Sequence, residues 1–275
     1  MNEYVGITIK VNQDFQELVM ASLYELGYEA FVENESDLQA FIPEASWNEQ
    51  IKSETSEKLK SFGLDFDEEH YENQDWNAQW ESNFKDILIG DKLQVRAVFH
   101  ETNPEVMEEI IIAPKMAFGT GHHATTSMIL EWMMDQKMNG MKVLDFGCGT
   151  GILGIYALKK SAAYLALVDI EPEAIENSIE NLELNSLNAN WIKEGSIEAI
   201  PDIQFDIILA NITRNILTEL MDDLLLKLSK QGTMIISGFL EQDKVFMEEF
   251  CKSKNLQVVK VIQQLDWIAM VLKFI

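Results

Sequence analysis

Apolar and polar positions alternate along the chain with two different periods, which predict strands and helices in a definite order. In the first quarter, runs with period-two alternation are separated by two stretches with a helical period, and a glycine follows each stretch. The predicted order is strand, helix, strand, strand, helix, strand. This order predicts a small α+β domain of ferredoxin-like topology over residues 1–70.

The pattern changes in the remainder of the chain. Residues 71–86 predict a polar linker helix in which Trp76 and Trp80 share a face, because they are four positions apart. From residue 87 to 275, short apolar runs alternate with helical stretches, which is typical of an α/β fold. The last two predicted strands, 256–262 and 267–274, follow each other without a helix. The predicted seven-stranded sheet of this second domain is therefore mixed.

Charge is distributed unevenly along the 275 residues. The chain has 46 acidic and 21 basic residues, a net charge of -25. Residues 1–75 hold 18 acidic residues and 4 lysines, so this segment alone contributes -14. Such a field repels nucleic acid and attracts basic proteins. We therefore expect a basic protein partner and no direct binding of nucleic acid.

The sequence also bears on compartment and metal content. There is no apolar run of membrane-spanning length and no signal segment at the first residues, and the chain has only two cysteines. These features predict a cytoplasmic protein without a membrane anchor. Neither the cysteines nor the four histidines have the spacing of zinc ligands, so no metal site is expected.

The strongest chemical pattern lies between residues 143 and 169. An apolar strand leads to Asp145, three glycines follow at alternate positions, and after a helix a second apolar strand ends at Asp169. Glycines let a ligand approach the backbone closely, and a helix N-terminus directs amides toward it. Asp169 stands where such units place a carboxylate that accepts both ribose hydroxyls. The stretch predicts a β-α-β unit that binds a nucleotide-like ligand.

The glycine pattern alone leaves the ligand open. Gly149, Gly151 and Gly154 also satisfy the fingerprint of nicotinamide dinucleotides. Asp145 argues against a dinucleotide, because a carboxylate just before the glycines would repel a pyrophosphate. A carboxylate at this position suits a ligand with a positive end, and the turn could also be purely structural.

Two more segments supply polar candidates. Gly119 and Gly121 allow the loop ahead of the glycine turn to bend, and we expect this loop to close over the ligand. Thr125 and Thr126 either contact the ligand or cap the following helix. Asn211 follows a fully apolar strand, so we expect it at the ligand edge of the sheet, although it could instead cap the next helix. The two histidines of the loop are expected to be structural or ligand-adjacent.

Together these motifs resemble the bacterial ribosomal protein L11 methyltransferases, a family of class I S-adenosylmethionine-dependent methyltransferases. The resemblance covers nearly the whole chain. It is carried by the acidic first domain, the tryptophan-containing linker and three blocks of sequence: AFGTGHHATT at 117–126, VLDFGCGTG at 143–151 and ANI at 210–212. The block with two adjacent histidines is more specific than the glycine motif.

The resemblance implies a Rossmann-like class I methyltransferase domain with S-adenosylmethionine as cofactor. It implies N-methylation of lysine ε-amines and the α-amine of the lysine-rich stalk-base protein of the large ribosomal subunit. The first domain would recognise this substrate, and we expect a monomer. We take Asn211 as the catalytic candidate, which would hold the amine or the cofactor by its amide oxygen. The candidate cofactor contacts are Thr126, Gly147, Asp169, Asn211, Asp145, Gly149, Phe118, Gly119 and Thr125.

Two other functions stay open on the sequence, namely a nicotinamide-dependent oxidoreductase and a non-catalytic protein of ribosome assembly. The chain also departs from the family pattern in two places. The usual Asp-Pro-Gly ahead of the histidine loop is replaced by Ala113-Pro114-Lys115, and the usual proline after the histidines is Ala124. Both departures predict a less rigid loop.

Overall fold

The computed structural model describes residues 4–24, 26–34, 36–71, 85–113 and 121–275. The chain divides into two compact units, Met1–Trp80 and Glu81–Ile275. Most of the predicted linker, including Trp76 and Trp80, lies outside the described residues. Within the described residues, none of the helices is both long and apolar enough to cross a membrane.

The first unit is an antiparallel sheet accompanied by two helices. Its elements are β1 (Tyr4–Ile9), α1 (Gln13–Tyr24), β2 (Ala30–Glu33), β3 (Leu38–Pro43), α2 (Glu49–Ser61) and β4 (Phe66–Tyr71). The strand order is β2-β3-β1-β4, and all neighbours are antiparallel. Ile7 of β1 packs in one buried cluster with Leu23 of α1 and Leu59 of α2. The predicted element order is present, and the ferredoxin-like classification stays a prediction.

The second unit contains a three-stranded sheet, a seven-stranded sheet and five helices among its described residues. Its elements are β5 (Ile87–Ile89), β6 (Leu93–Arg96), β7 (Glu108–Ile111), α3 (Ala124–Met134), β8 (Lys142–Phe146), α4 (Ile152–Lys159), β9 (Tyr164–Asp169), α5 (Pro172–Leu184), β10 (Trp191–Glu194), β11 (Phe205–Asn211), α6 (Arg214–Lys227), β12 (Leu228–Leu240), α7 (Lys244–Ser253), β13 (Leu256–Gln264) and β14 (Trp267–Phe274).

The large sheet has the strand order β10-β9-β8-β11-β12-β14-β13. Strands β8 to β12 are parallel, whereas β14 is antiparallel to both of its neighbours. The predicted mixed seven-stranded sheet is thus confirmed. Successive residues of the central strands enter different cores, since Val143 belongs to one buried cluster and Leu144 to another. Helices on both faces account for the nearly continuous apolar runs.

The start of β12 differs from the sequence prediction. The pair Gln-Gly at 231–232 predicts a turn ahead of a strand over residues 233–237. The strand begins already at Leu228, and its pairing with β11 shifts register between Phe205 and Ile207. Gly232 lies in the irregular part, where a Cβ would be 2.6 Å from Leu228 Cδ1. Gln231 and Gly232 are typical of a turn, but here they lie within an irregular strand.

Candidate functional site

A crevice of about 260 Å³ opens at the carboxyl ends of the parallel strands β8, β9, β10 and β11. This is the edge at which open α/β sheets bind ligands. Part of its wall is apolar, with Phe146, Val168, Ile212, Ile216 and Leu220, and its other lining residues are Gly147, Gly149, Asp169, Ile170, Glu171, Gly195, Ser196, Asn211 and Thr213.

The glycine turn between β8 and α4 forms one wall of the crevice. Gly147 has a φ of +72°, and a Cβ there would lie 2.2 Å from Ile212 Cγ2. Its N–H donates to the carbonyl oxygen of Val168 at 2.8 Å, which fastens the turn to β9. The position therefore requires glycine both for its backbone conformation and for the close approach of Ile212.

Asp169 lies at the end of β9 and faces the crevice. Its Oδ2 accepts a hydrogen bond from the Gly149 N–H at 2.8 Å, and its Oδ1 accepts one from the Glu171 N–H at 3.1 Å. Both bonds hold the carboxylate in a fixed orientation beside the glycine turn. Each carboxylate oxygen has further lone pairs, so Asp169 can still accept hydrogen bonds from a ligand's hydroxyl groups.

Asp145 occupies a different place from the one expected. It belongs to strand β8 rather than to the turn, it is 1% exposed, and it is not among the lining residues of the crevice. Its Oδ2 accepts a hydrogen bond from the Gly154 N–H of α4 at 2.9 Å. Burial raises the pKa of Asp145 to about 8, and the charge of Asp169 adds to this rise, while the bond from Gly154 opposes it.

The expectation that Asp145 meets the positive end of a ligand stays a prediction, while the carboxylate contacts the Gly154 N–H of α4 and does not line the crevice. The helix that follows the turn covers the carboxylate, so Asp145 fixes α4 on β8. A sequence pattern places the residue next to the glycines, but only the packing of α4 decides whether its side chain faces the crevice.

Asn211 and Thr126 come together across a long sequence separation. Asn211 is the last residue of β11, and its Nδ2 donates to Thr126 Oγ1 of α3 at 3.3 Å. The Oδ1 of Asn211 is buried and has no hydrogen-bond partner in the described part of the chain. An unsatisfied buried acceptor costs about 1–3 kcal/mol of folding free energy. Such an atom beside a crevice therefore indicates a group that binds a ligand. Asn211 does not cap α6, since that position belongs to Thr213.

The start of α3 is organised by a histidine. His123 is the N-cap residue, and its side chain accepts from the Thr125 N–H. The Thr125 Oγ1 lies 2.7 Å from His123 Nδ1, and the His123 ring packs edge-on against Trp267. The alternative that either threonine caps the helix is therefore wrong. Thr125 faces His123 and Thr126 faces Asn211, so the structure separates two candidates that the sequence could not rank.

Other predicted residues and some missed ones complete the site. Phe118 and Gly119 lie outside the described residues, so their contacts stay predictions. Sequence reasoning missed Gly195 and Ser196, which follow β10 and line the crevice. They could have been found by the same edge rule that selected Asn211. Across the described ranges, no group of three or more potential metal ligands is present.

A second depression is larger but chemically poorer. A groove of about 670 Å³ runs along the edge strand β13 beside α7 and includes Lys252, Lys260 and Glu248 among mainly aliphatic neighbours. It has neither a glycine turn nor a converging set of polar groups, which ligand sites usually have. The crevice at the strand ends is therefore the candidate site.

Comparison with known proteins gives concordant results. A family model described as Ribosomal protein L11 methyltransferase (PrmA) matches residues 3–274. A relative named Ribosomal protein L11 methyltransferase, from Porphyromonas gingivalis, is 38% identical over 261 residues, which are 92% of this chain and 89% of the relative. One of the same name from Bacteroides fragilis is 34% identical over 275 residues and covers 97% of each chain.

A solved structure agrees with these sequence matches. The crystal structure of a ribosomal protein L11 methylase from Lactobacillus delbrueckii subsp. bulgaricus superimposes with a TM-score of 0.65 and 27% identity. The match covers 70% of this chain and 99% of that chain.

Proposed function

The chain belongs to the ribosomal protein L11 methyltransferase family, and on that premise we propose that it methylates ribosomal protein L11 with S-adenosylmethionine as the methyl donor. The acceptors are lysine ε-amines and the α-amine of the substrate, and the reaction takes place in the cytoplasm, where ribosomal proteins are made. The observation that carries this proposal is the unpartnered Asn211 Oδ1 beside a glycine-lined crevice.

The residues of the crevice fit this cofactor. Gly147 carries no side chain between the turn and Ile212, where a Cβ would lie 2.2 Å from Ile212 Cγ2, so the backbone of the turn itself forms the wall that ligand atoms meet. Asp169 is held by two backbone amides and accepts the ribose hydroxyls. Ile170, Ile212 and Ile216 offer an apolar surface for a flat ring. When bound, S-adenosylmethionine supplies a methyl group that is already activated on a sulfonium.

Asn211 orients the acceptor amine. Thr126 accepts the hydrogen bond from Asn211 Nδ2, which leaves Oδ1 as the free acceptor of the side-chain amide. An amine N–H that donates to this oxygen has its lone pair directed elsewhere, toward the methyl group to be transferred. Alignment of this kind is a large part of what an enzyme adds to a bimolecular reaction.

The acceptor amine must lose a proton before it attacks. A lysine amine has a reference pKa of about 10.4, and an apolar, water-poor wall disfavours the charged form. Ile212, Ile216 and Leu220 provide such a wall, since they line the same crevice as Asn211. The protein therefore lowers the amine pKa by desolvation, and no dedicated base is assigned.

The first unit serves substrate recognition in this proposal. Residues 1–75 contribute -14 to the net charge, and a lysine-rich protein is attracted by that field. The protein acts as a monomer and makes no direct contact with nucleic acid.

Cofactor titration tests the proposal directly. We expect the protein to bind S-adenosylhomocysteine in isothermal titration calorimetry, with no heat from NAD or NADP under the same conditions. Binding of a nicotinamide dinucleotide alone would favour an oxidoreductase. Binding of neither would favour a non-catalytic protein of ribosome assembly.

A further inference from the structure

Three asparagines recur at intervals of four residues along α5. Asn177 and Asn181 are on the helix and are 1% and 0% exposed, and Asn185 is its C-cap residue. Residues four apart share one face of a helix. A buried helical face is usually apolar, and side-chain amides that are buried there need hydrogen-bond partners. This row of asparagines must therefore meet other buried polar groups.

Two of these asparagines complete the edge of the small sheet. Strand β7 is an edge strand. Just after its last residue, the Ile112 N–H still donates to the carbonyl oxygen of Arg96 in β6 at 2.9 Å. The groups on the outer side are met by side chains. Asn185 accepts from the Ile111 N–H at 3.0 Å and donates to its carbonyl oxygen at 2.6 Å, and Asn181 Oδ1 accepts from the Ala113 N–H at 2.7 Å.

The geometry of helix and strand explains the match. Four residues of a helix rise by about 6 Å, and two residues of a strand advance by about 6.6 Å. The pair Asn181 and Asn185 therefore meets the pair Ala113 and Ile111 in register. Helix α5 takes the place of a missing strand beside β7.

Asn181 makes two contacts that Asn185 does not. Its Nδ2 donates to the carbonyl oxygen of Thr150 at 2.8 Å and to Asn177 Oδ1 at 2.7 Å. Thr150 is fully buried and lies between Gly149 and Gly151 in the turn of the crevice. All polar atoms of the Asn181 amide are thus engaged, and the residue joins the glycine turn to the edge of β7.

We propose that Asn181 is a positioning residue for cofactor binding, because it fixes the Thr150 carbonyl and with it the glycine turn. Gly149 is covalently next to Thr150, and its N–H holds the Asp169 carboxylate that faces the crevice. If the Thr150 carbonyl oxygen loses its bond from Asn181, the glycine turn can shift. Such a shift would displace both Gly149 and the Asp169 carboxylate. Asn185 meets β7 and, through its Nδ2, the carbonyl oxygen of Asn181, and none of its described hydrogen bonds reaches the turn. This inference rests on the proposed function, since it assumes the S-adenosylmethionine site.

The test compares Asn181→Leu with Asn185→Leu. Each variant loses side-chain hydrogen bonds to the outer edge of β7, so both should lower the melting temperature. Only Asn181→Leu also removes the hydrogen bond to the Thr150 carbonyl oxygen. We expect its Kd for S-adenosylhomocysteine to rise at least about 10-fold, because the glycine turn loses this buried hydrogen bond. For Asn185→Leu we expect a change within about 2-fold.

A second measurement reports on the turn itself. Hydrogen exchange of the peptide that spans residues 147–153 should be faster in Asn181→Leu than in Asn185→Leu at equal temperature, without added ligand. Asn181→Ala replaces Asn181→Leu if the larger side chain prevents folding.

Four results would overturn the inference. Unchanged affinity in the Asn181 variants, or an equal loss of affinity in both Leu variants, would show that the contact to Thr150 has no special role. Failure of both Asn181 variants to fold would make the residue a general requirement for the fold. If the unmodified protein itself binds no S-adenosylhomocysteine, the proposed function fails first, and the inference with it.

Discussion

At the scale of single residues, we propose that methyl transfer depends on the pair Asn211 and Thr126. Thr126→Val removes the acceptor that holds Asn211 Nδ2, and Asn211→Ala removes the free Oδ1. A hydrogen bond to a charged or developing group contributes about 1.5–3 kcal/mol, so we expect Asn211→Ala to lower kcat about 10- to 100-fold. Thr126→Val should have a smaller effect in the same direction.

Thr125→Val is the matched comparison, because it makes the same change at an adjacent buried threonine whose Oγ1 faces His123. Steady-state kinetics with saturating cofactor would decide. A larger loss of kcat in Thr125→Val than in Thr126→Val would contradict the assignment of the pair.

Asp169 carries the prediction for cofactor affinity. Asp169→Asn keeps the size of the side chain, but removes the charge and one of the acceptors that hold Gly149 and Glu171. Calorimetry should show the Kd for S-adenosylhomocysteine raised about 10- to 100-fold. Asp202→Asn is the control, since Asp202 is a fully exposed carboxylate paired with Lys227. Equal affinity of both variants would rule out Asp169 as the ribose ligand.

Asp145 predicts a pH dependence of stability. Its pKa is raised from 3.8 to about 8 by burial, so the stability that it provides is complete below pH 3.8 and is lost as pH rises toward 8. Asparagine stays neutral and can still accept the Gly154 N–H. Between pH 5 and pH 8, urea unfolding should therefore show Asp145→Asn gaining at least about 1 kcal/mol relative to the unmodified protein. A difference that is the same at both pH values would contradict the burial argument.

The residues of the site were predictable to different degrees. Gly147, Gly149 and Asp169 follow directly from their places after predicted strands, because strand ends fix which edge they reach. The side chain of Asp145 was misplaced, since its burial depends on how α4 packs over β8. The separate partners of Thr125 and Thr126 depend on His123 as N-cap and on β11, both of which are set by tertiary structure.

At the scale of elements, the glycine turn is the part most sensitive to a single methyl group. Gly147 and Gly140 have nearly the same positive φ, +72° and +75°, so alanine is strained equally at both. Only at position 147 would the new Cβ meet another atom, Ile212 Cγ2 at 2.2 Å, whereas nothing lies within 4 Å at position 140. We expect Gly147→Ala to weaken S-adenosylhomocysteine binding at least about 10-fold.

Gly140→Ala should leave that affinity within about 2-fold while lowering the melting temperature by a few degrees. Thermal melts of the two variants report the backbone strain that both share. Calorimetry reports the additional effect of the contact between the new Cβ and Ile212 on ligand affinity. Equal affinities would mean that Ile212 moves aside and that the turn does not need glycine for its close approach.

Elements were predicted well where the hydrophobic period was long and poorly where side-chain contacts decided the ends. The seven strands of the large sheet were all anticipated, because short apolar runs bounded by helical stretches or by a turn leave a strong pattern. Ser46 stands where the sequence predicts the N-cap of α2, but the N-cap is Asn48, whose side chain accepts from the Gln50 and Ile51 N–H groups. Ser46 instead ends a short 3-10 turn over Glu44–Ser46, which has no period of its own.

At the scale of the whole molecule, charge separates substrate binding from cofactor binding. The net charge of -25 should attract a lysine-rich protein at low salt, and added salt should weaken this attraction. Cofactor binding in the largely apolar crevice should depend less on salt. Raising ionic strength from about 0.05 M to about 0.3 M should raise the KM for ribosomal protein L11 about 5-fold and change the Kd for S-adenosylhomocysteine by less than about 2-fold. A KM that does not depend on salt would exclude electrostatic attraction of the substrate.

We propose that the crevice beside Asp169 and Asn211 serves methyl transfer to amines of ribosomal protein L11. Intact-mass analysis of ribosomal protein L11, incubated with S-adenosylmethionine and the protein, tests it most directly. We predict mass increases in steps of one methylene each, and a strong reduction of these steps with Asn211→Ala. An unchanged mass, with a substrate whose lysines and α-amine are unmodified at the start, would contradict the claim.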